Sequence, residues 1–158
     1  MWGRIRNGIE NTLINQDRIQ RRLDSANKTL ELARTVEEPD LVVLLAYDSV
    51  RKSADALLES YECSRTTKNG THTTVMSKAA QILADIDGYA AQRMQEAGDW
   101  LRLLRNVAEY GDVGEITAID AMKSVTLAQY LVPTIRAIMG VEVSKRDDGV
   151  DSVKAIEL

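Results

Sequence analysis

The sequence predicts an all-α fold, an up-and-down bundle of four to five helices. Three observations carry this. Apolar residues recur at three- and four-residue spacing over most of the chain, the period of a helix with one buried face. The 158 residues include only two prolines and nine glycines, too few for the turns of a β-sandwich. Phenylalanine is absent, so the core must be built from Leu, Ile, Val, Ala and Met. A chain of this length is enough for one domain with a proper core.

Taken in order, Met1–Ile14 is a weakly amphipathic lead with Trp2, Ile5, Ile9 and Leu13, an arm that packs on the body or on a second subunit. From Asp17 to about Val36, Ile19, Leu23, Ala26, Leu30 and Ala33 mark one helix face. Arg18, Arg21, Arg22 and Lys28 lie largely elsewhere, as a solvated surface or as part of a surface for an anionic ligand. Glu37-Glu38-Pro39-Asp40 is a helix start, because proline suits the first turn and acids suit the positive end of the helix dipole. The helix it opens, about Pro39 to Tyr61, is the strongest in the chain. Leu41, Leu44 and Leu45 begin it, and Val43, Ala46, Val50, Ala54, Leu57, Leu58 and Tyr61 form its apolar face. Tyr47, Asp48, Arg51 and Lys52 cluster at its centre. The spacing of Asp48 to Arg51 and to Lys52 lets them pair, either as ordinary surface ion pairs or as a polar patch in a groove.

Glu62–Thr71 reads as a loop carrying Cys63, Arg65 and Lys68, with Lys68-Asn69-Gly70 as a turn signal. A threonine at its end caps the next helix, about Thr73 to Ala84. A fourth helix starts at Asp87 or Ala91 and runs to Tyr110, with Gly98 marking a close helix contact or a bend and Gly111 as a left-handed terminator. The last helix runs from about Glu115 to Met139 on a stripe of Ala118, Ala121, Met122, Val125, Ala128, Val132, Ile135 and Ile138. Pro133 predicts a kink at about Gln129–Val132, and Gly140 a C-cap. The expected organisation is residues 1–16 as an N-terminal arm or short helix, 17–140 as the bundle, and 141–158 as a polar tail that Val153 and Ile156 dock loosely.

Composition removes several function classes. The net charge of −4 argues against bulk electrostatic binding of nucleic acid and leaves a local basic patch on a dimer open. One cysteine, Cys63, gives no intrachain disulfide and no cysteine zinc cluster, and without an activating partner it reads as an inert thiol. His72 is the sole histidine and cannot build a metal site alone. Neither a secretory h-region nor an apolar run of membrane-spanning length is visible, so a cytoplasmic protein is expected. A phosphate-binding glycine loop, a nucleophile elbow and a His-Glu-x-x-His motif are all missing, and no cofactor or metal is called for.

The stretch with chemical content is Trp100–Asp112. Leu101, Leu104, Val107 and Ala108 make an inward stripe, and Arg105, Asn106, Glu109 and Tyr110 are the polar content of the final turns. Arg, Asn and Tyr together on an exposed flank can hold a phosphate or a nucleotide. The plainer reading is that arginine near a helix C-terminus is favoured by the dipole and pairs weakly with Glu109.

With these residues in view, the arrangement resembles the HEPN superfamily over roughly Asp17 to Met139. Leu45–Leu58 looks like the early HEPN helix, with Tyr47, Asp48, Arg51 and Lys52 in its polar positions. Gly70-Thr71-His72 is similar to the glycine and histidine that open the third helix in some branches. Leu104-Arg105-Asn106-Val107-Ala108-Glu109-Tyr110 matches the position where the family has Arg, a polar residue, a short spacer and His. The resemblance implies a dimer in which two copies of the motif meet in one cleft. It implies metal-independent ribonuclease activity, with Arg on the scissile phosphate and His moving the proton, or RNA, nucleotide or protein binding where the catalytic residues are lost. Toxin–antitoxin and anti-phage systems are the usual setting, some with a nucleotidyltransferase-like partner or an antitoxin.

The departure falls at Tyr110, which stands where the family has His. A phenol with a reference pKa of about 10 is almost wholly protonated at neutral pH and is a poor general base. It can still donate a hydrogen bond to phosphate or stack on a base. Three readings follow. In the first, the chain binds RNA or a nucleotide at a dimer cleft, with Arg105, Asn106, Tyr110 and His72 as candidate catalytic-motif residues and Asp48, Arg51 and Lys52 as candidate substrate contacts. In the second, it is a ribonuclease toxin using Arg105 with Tyr110 or His72. In the third, it is a non-catalytic protein-interaction module.

Overall fold

The computed structural model describes residues 2–61, 72–112 and 114–146, with side chains over 16–61, 75–112 and 114–140. All regular secondary structure among the described residues is helical, and they contain no strand. The helices are α1 (Trp2–Ala33), α2 (Pro39–Ser60), α3 (His72–Ala84), α4 (Gly88–Glu96), α5 (Arg102–Tyr110) and α6 (Ala118–Arg146). A π-helical turn, Ala97–Leu101, joins α4 to α5 without a break, so the bundle has five continuous helices among the described residues. No helix there is long and apolar enough to cross a membrane.

The starts and stops follow local chemistry. Pro39 occupies the first turn of α2 with Asp40 beside it, as expected. Asp87 Oδ1 accepts from the backbone N–H of Tyr89 at 3.1 Å and of Ala90 at 3.2 Å, capping α4. Thr117 and Asp120 exchange side-chain-to-backbone hydrogen bonds, both 3.1 Å, in a reciprocal box before α6. Three expectations shift. First, α1 begins at Trp2, because the lead holds no proline to interrupt it, although Gly3 and Gly8 are weak helix formers. Second, α6 runs past Gly140 to Arg146, so Gly140 is not its C-cap, and Pro133 lies within the helix. Third, Gly111 is extended, with φ −85° and ψ −176°, and among the described residues of this turn the left-handed glycine is Gly114 at φ 94°. Gly111 is still required, because its N–H donates to Val107 O at 2.7 Å and a Cβ there would lie 2.6 Å from that oxygen. The anticipated Glu62–Thr71 loop with Cys63, the side chains of Trp2 and His72, and the tail beyond Arg146 with Val153 and Ile156 lie outside the described residues.

The centre of the bundle is α2, which packs against α1, α3, α5 and α6. It buries Val43, Ala46, Val50, Ala54, Leu57 and Leu58 as its spacing predicts, and also Tyr47, Ser49, Ser53 and Ala56. The α1 face of Ile19, Leu23, Ala26, Leu30 and Ala33 is buried in full. Glu59 of α2 clamps α1 by accepting from Arg18 and, at 2.7 Å, from Arg22, so two of the α1 arginines serve packing. Gly98 makes the close contact its position suggested, since a Cβ there would stand 2.9 Å from Met76 Cβ on α3. On α6 the core side is Ala121, Ser124, Leu127, Ala128, Leu131, Val132, Ile135 and Met139. Met122, expected inside, is 62% exposed and borders a groove of about 560 Å³ with Tyr89, Trp100 and Tyr130. The stripe read from sequence was therefore rotated about the helix by a fraction of a turn.

Candidate anion site between α2 and α5

The π turn decides which way α5 faces. Its backbone bond runs from Arg102 N–H to Ala97 O, one residue longer than an α-helical bond. The Gly98 carbonyl instead accepts from Arg102 Nε at 3.1 Å. Arg102 is thus tied to its own helix through Nε, and among the described residues it has no carboxylate partner. One turn on, Arg105 lies on the same flank, because residues three apart are neighbours on a helix.

Opposite stands Tyr47 of α2, only 3% exposed. The Arg105 guanidinium carbon is 5.8 Å from the centre of its ring, within range of a cation–π contact. Arg51, one turn further along α2, approaches the same tyrosine. Burial pushes the Tyr47 phenol up to about 12, against the opposing pull of Arg51, Arg105 and Arg102, so it is neutral at physiological pH. The Arg105 guanidinium thus stands over one buried, uncharged aromatic ring, with the charges of Arg51 and Arg102 near enough to act on its phenol.

Carboxylates answer this charge only in part. Arg105 Nη2 pairs with Glu109 Oε2 at 2.7 Å, the pair expected from the sequence, and Arg105 Nη1 donates to Asn106 Oδ1 at 3.4 Å. Arg51 Nε is 4.0 Å from Asp55 Oδ2, and that nitrogen is buried without a hydrogen-bond acceptor among the described residues.

The structure brings Arg105, Asn106 and Arg51 into one region and separates the other candidates from it. Lys52 Nζ bonds Asp48 Oδ2 at 2.9 Å and Thr29 Oγ1 of α1 at 3.0 Å, so Asp48 and Lys52 belong to the α1 side of α2. The quartet at the centre of α2 is divided between two flanks, because 47 and 51 share one row of the helix and 48 and 52 the next. Tyr110 ends α5 and is 77% exposed. Five residues past Arg105 it lies about 140° round the helix, away from the Arg105–Glu109 flank. His72 opens α3, and its imidazole is outside the described residues. Two members were missed in the sequence. Arg102 was legible from its spacing to Arg105, whereas the role of Tyr47 as a buried platform was not, since its neighbours Asp48, Arg51 and Lys52 read as a polar surface.

Among the described residues no cluster of His, Cys, Asp or Glu side chains is placed to hold a metal ion. No family model matches the chain, and neither a curated protein nor a solved structure matches it.

Proposed function

We propose that the chain is a HEPN-like domain that binds RNA or a nucleotide through phosphate at Arg105, in a cleft between two copies of itself. It works as a toxin–antitoxin or phage-defence component, in the reducing interior of a cell, with little or no ribonuclease activity. The observation that carries this is the Arg105 guanidinium backed by the buried Tyr47 ring, with Arg51 one turn along α2 and Arg102 on the same flank of α5 adding positive charge beside it. Guanidinium groups present planar, paired donors that suit phosphate oxygens, and they are weakly hydrated enough to work beside an aromatic ring. Three cations against two carboxylates, Asp55 and Glu109, leave local positive charge on a chain whose net charge is −4. Support for a second copy comes from α5, which buries none of its residues and leaves Leu103 exposed. Weak cleavage at most follows from the chemistry of Tyr110, a phenol in solvent away from Arg105.

The test is anisotropy of a fluorescein-labelled single-stranded RNA at low salt, with Arg105→Ala prepared in parallel. Loss of a charge-assisted contact is expected to weaken binding about tenfold or more. Equal binding by both proteins would sink the assignment. Cleavage of the RNA without added metal, present in the wild type and absent in Arg105→Ala, would replace it with the ribonuclease reading.

A further inference from the structure

The Arg105–Glu109 contact has a cost that helix stability does not explain. An acid in the last turn of a helix faces the negative end of the dipole. The favourable order for an ion pair four residues apart puts the acid first, and here the arginine comes first. Glu109 is on both counts the wrong charge for its place in α5 (Arg102–Tyr110). What it does satisfy is Arg105, at 2.7 Å, on a guanidinium already backed by the Tyr47 ring. A carboxylate oxygen on Nη2 occupies one arm of the guanidinium fork that phosphate oxygens would take, the other arm, Nη1, resting weakly on Asn106 Oδ1 at 3.4 Å.

We propose that Glu109 is an internal competitor for the phosphate seat on Arg105, so that a ligand binds only by displacing it. This rests on the reading of Arg105 as a phosphate-binding residue. Displacement is sterically open. The Glu109 side chain is 37% exposed against 24% for Arg105, and Glu109 has no other partner among the described residues. A change of side-chain rotamer moves it into water without disturbing the backbone. The competition sets what can bind. A small monoanionic carboxylate offers Arg105 nothing that Glu109 does not already supply within the chain. A nucleic-acid strand offers a phosphodiester to Arg105 and a second to Arg102, which has no carboxylate partner among the described residues. The specificity is thus for ligands with successive phosphates, and Glu109 is a specificity-determining residue that need not touch them.

The experiment measures binding of fluorescein-labelled oligouridylate to wild type, Glu109→Gln, Arg105→Ala and the double variant, across a salt series. Glu109→Gln keeps the shape and removes the charge. It is expected to bind about three to ten times more tightly, the scale of one nearby charge in a solvated site. Its log–log salt dependence should steepen by roughly 0.7, one further phosphate on a single strand. In the Arg105→Ala background the same change should gain little, because the competition has lost its object. Thermal melting of Glu109→Gln should equal or exceed that of the wild type, since the dipole penalty is relieved.

Unchanged or weaker binding by Glu109→Gln, with Arg105→Ala still weakened, overturns the competitor role and leaves RNA binding at Arg105 intact. An equal gain with and without Arg105 assigns the effect to bulk charge and overturns it too. A melting temperature lowered by Glu109→Gln marks Glu109 as structural support, with the same consequence. Absence of binding in every protein removes the phosphate reading itself, and the competitor role with it.

Discussion

Helices α2 and α5 supply the two walls of the same site and are built on opposite plans. Of the 22 residues of α2, eleven are buried, and the helix touches four others. None of the nine residues of α5 is buried. The α2 wall is a platform whose side chains are held from several sides. The α5 wall is attached along one half-covered stripe of Leu104, Val107 and Ala108 and through the π turn behind it. The groups that would meet a ligand, Arg102 and Arg105, sit on the lightly held wall, and the group they rest on, Tyr47, sits on the heavily held one. Substitutions in α2 should therefore act on the whole fold, and substitutions in α5 on binding alone.

The largest expected effect is Leu57→Ala, which opens a cavity in a fully buried part of α2 and should destabilise the protein by about 2–5 kcal/mol in chemical denaturation. A loss under 1 kcal/mol would break the contrast. Next is an alkaline effect at Tyr47. Its phenol ionises near pH 12 in the native state and near 10 when unfolded, so the native state keeps a proton that the unfolded state releases. The stability is present in full below pH 10 and is lost as the pH rises from 10 towards 12, by up to about 2–3 kcal/mol. Denaturation midpoints of wild type and Tyr47→Phe should diverge over that range, with the phenylalanine variant falling less.

Gly98→Ala tests the joint between the two plans. A Cβ 2.9 Å from Met76 Cβ forces α3 and the π turn apart, and about 1–3 kcal/mol should be lost. RNA affinity should fall with it if the turn aims Arg102 and Arg105. Ser53 sharpens the comparison from the other side. Its hydroxyl is buried in α2 without a hydrogen-bond partner among the described residues, so Ser53→Ala should raise stability by about 1 kcal/mol in thermal or chemical melts. Smallest of all, Leu103→Ser on the exposed face of α5 should change monomer stability by less than about 0.5 kcal/mol. A clear loss of dimer in sedimentation would then place Leu103 at the contact between copies.

Much of this was legible in the chain, for a physical reason. Where one helix face is buried and the other wet, the repeat of Ile19, Leu23, Ala26, Leu30 and Ala33 reports it directly. The reading weakened where burial was not one-sided. On α2 the small residues Ser49, Ser53 and Ala56 are buried because α1, α3, α5 and α6 surround the helix, and small side chains carry little periodic signal. On α6 an abundance of apolar residues let Met122 be assigned to the core when it lies outside. Half of the candidate site followed the same logic. Arg105, Asn106 and Glu109 are neighbours within one helix, so spacing alone joins them. Tyr47 and Arg51 come from another helix, and no local pattern says which flank of α2 would meet α5.

The π turn at Ala97–Leu101 has a consequence for how the chain tolerates changes in length. It holds one more residue than an α-helical turn, so everything after it stands about 100° behind the phase of an unbroken α-helix. Had the helix run on regularly from α4, Arg102 and Arg105 would be carried round its axis and off the flank that meets Tyr47. Deleting the exposed Asp99 would let the segment close into an ordinary helix with both arginines still aimed at α2. Deleting a residue from α4 instead would turn the π turn and α5 together relative to the core. Two shortenings of equal size, a few residues apart, would thus leave the site in one case aligned and in the other dismantled.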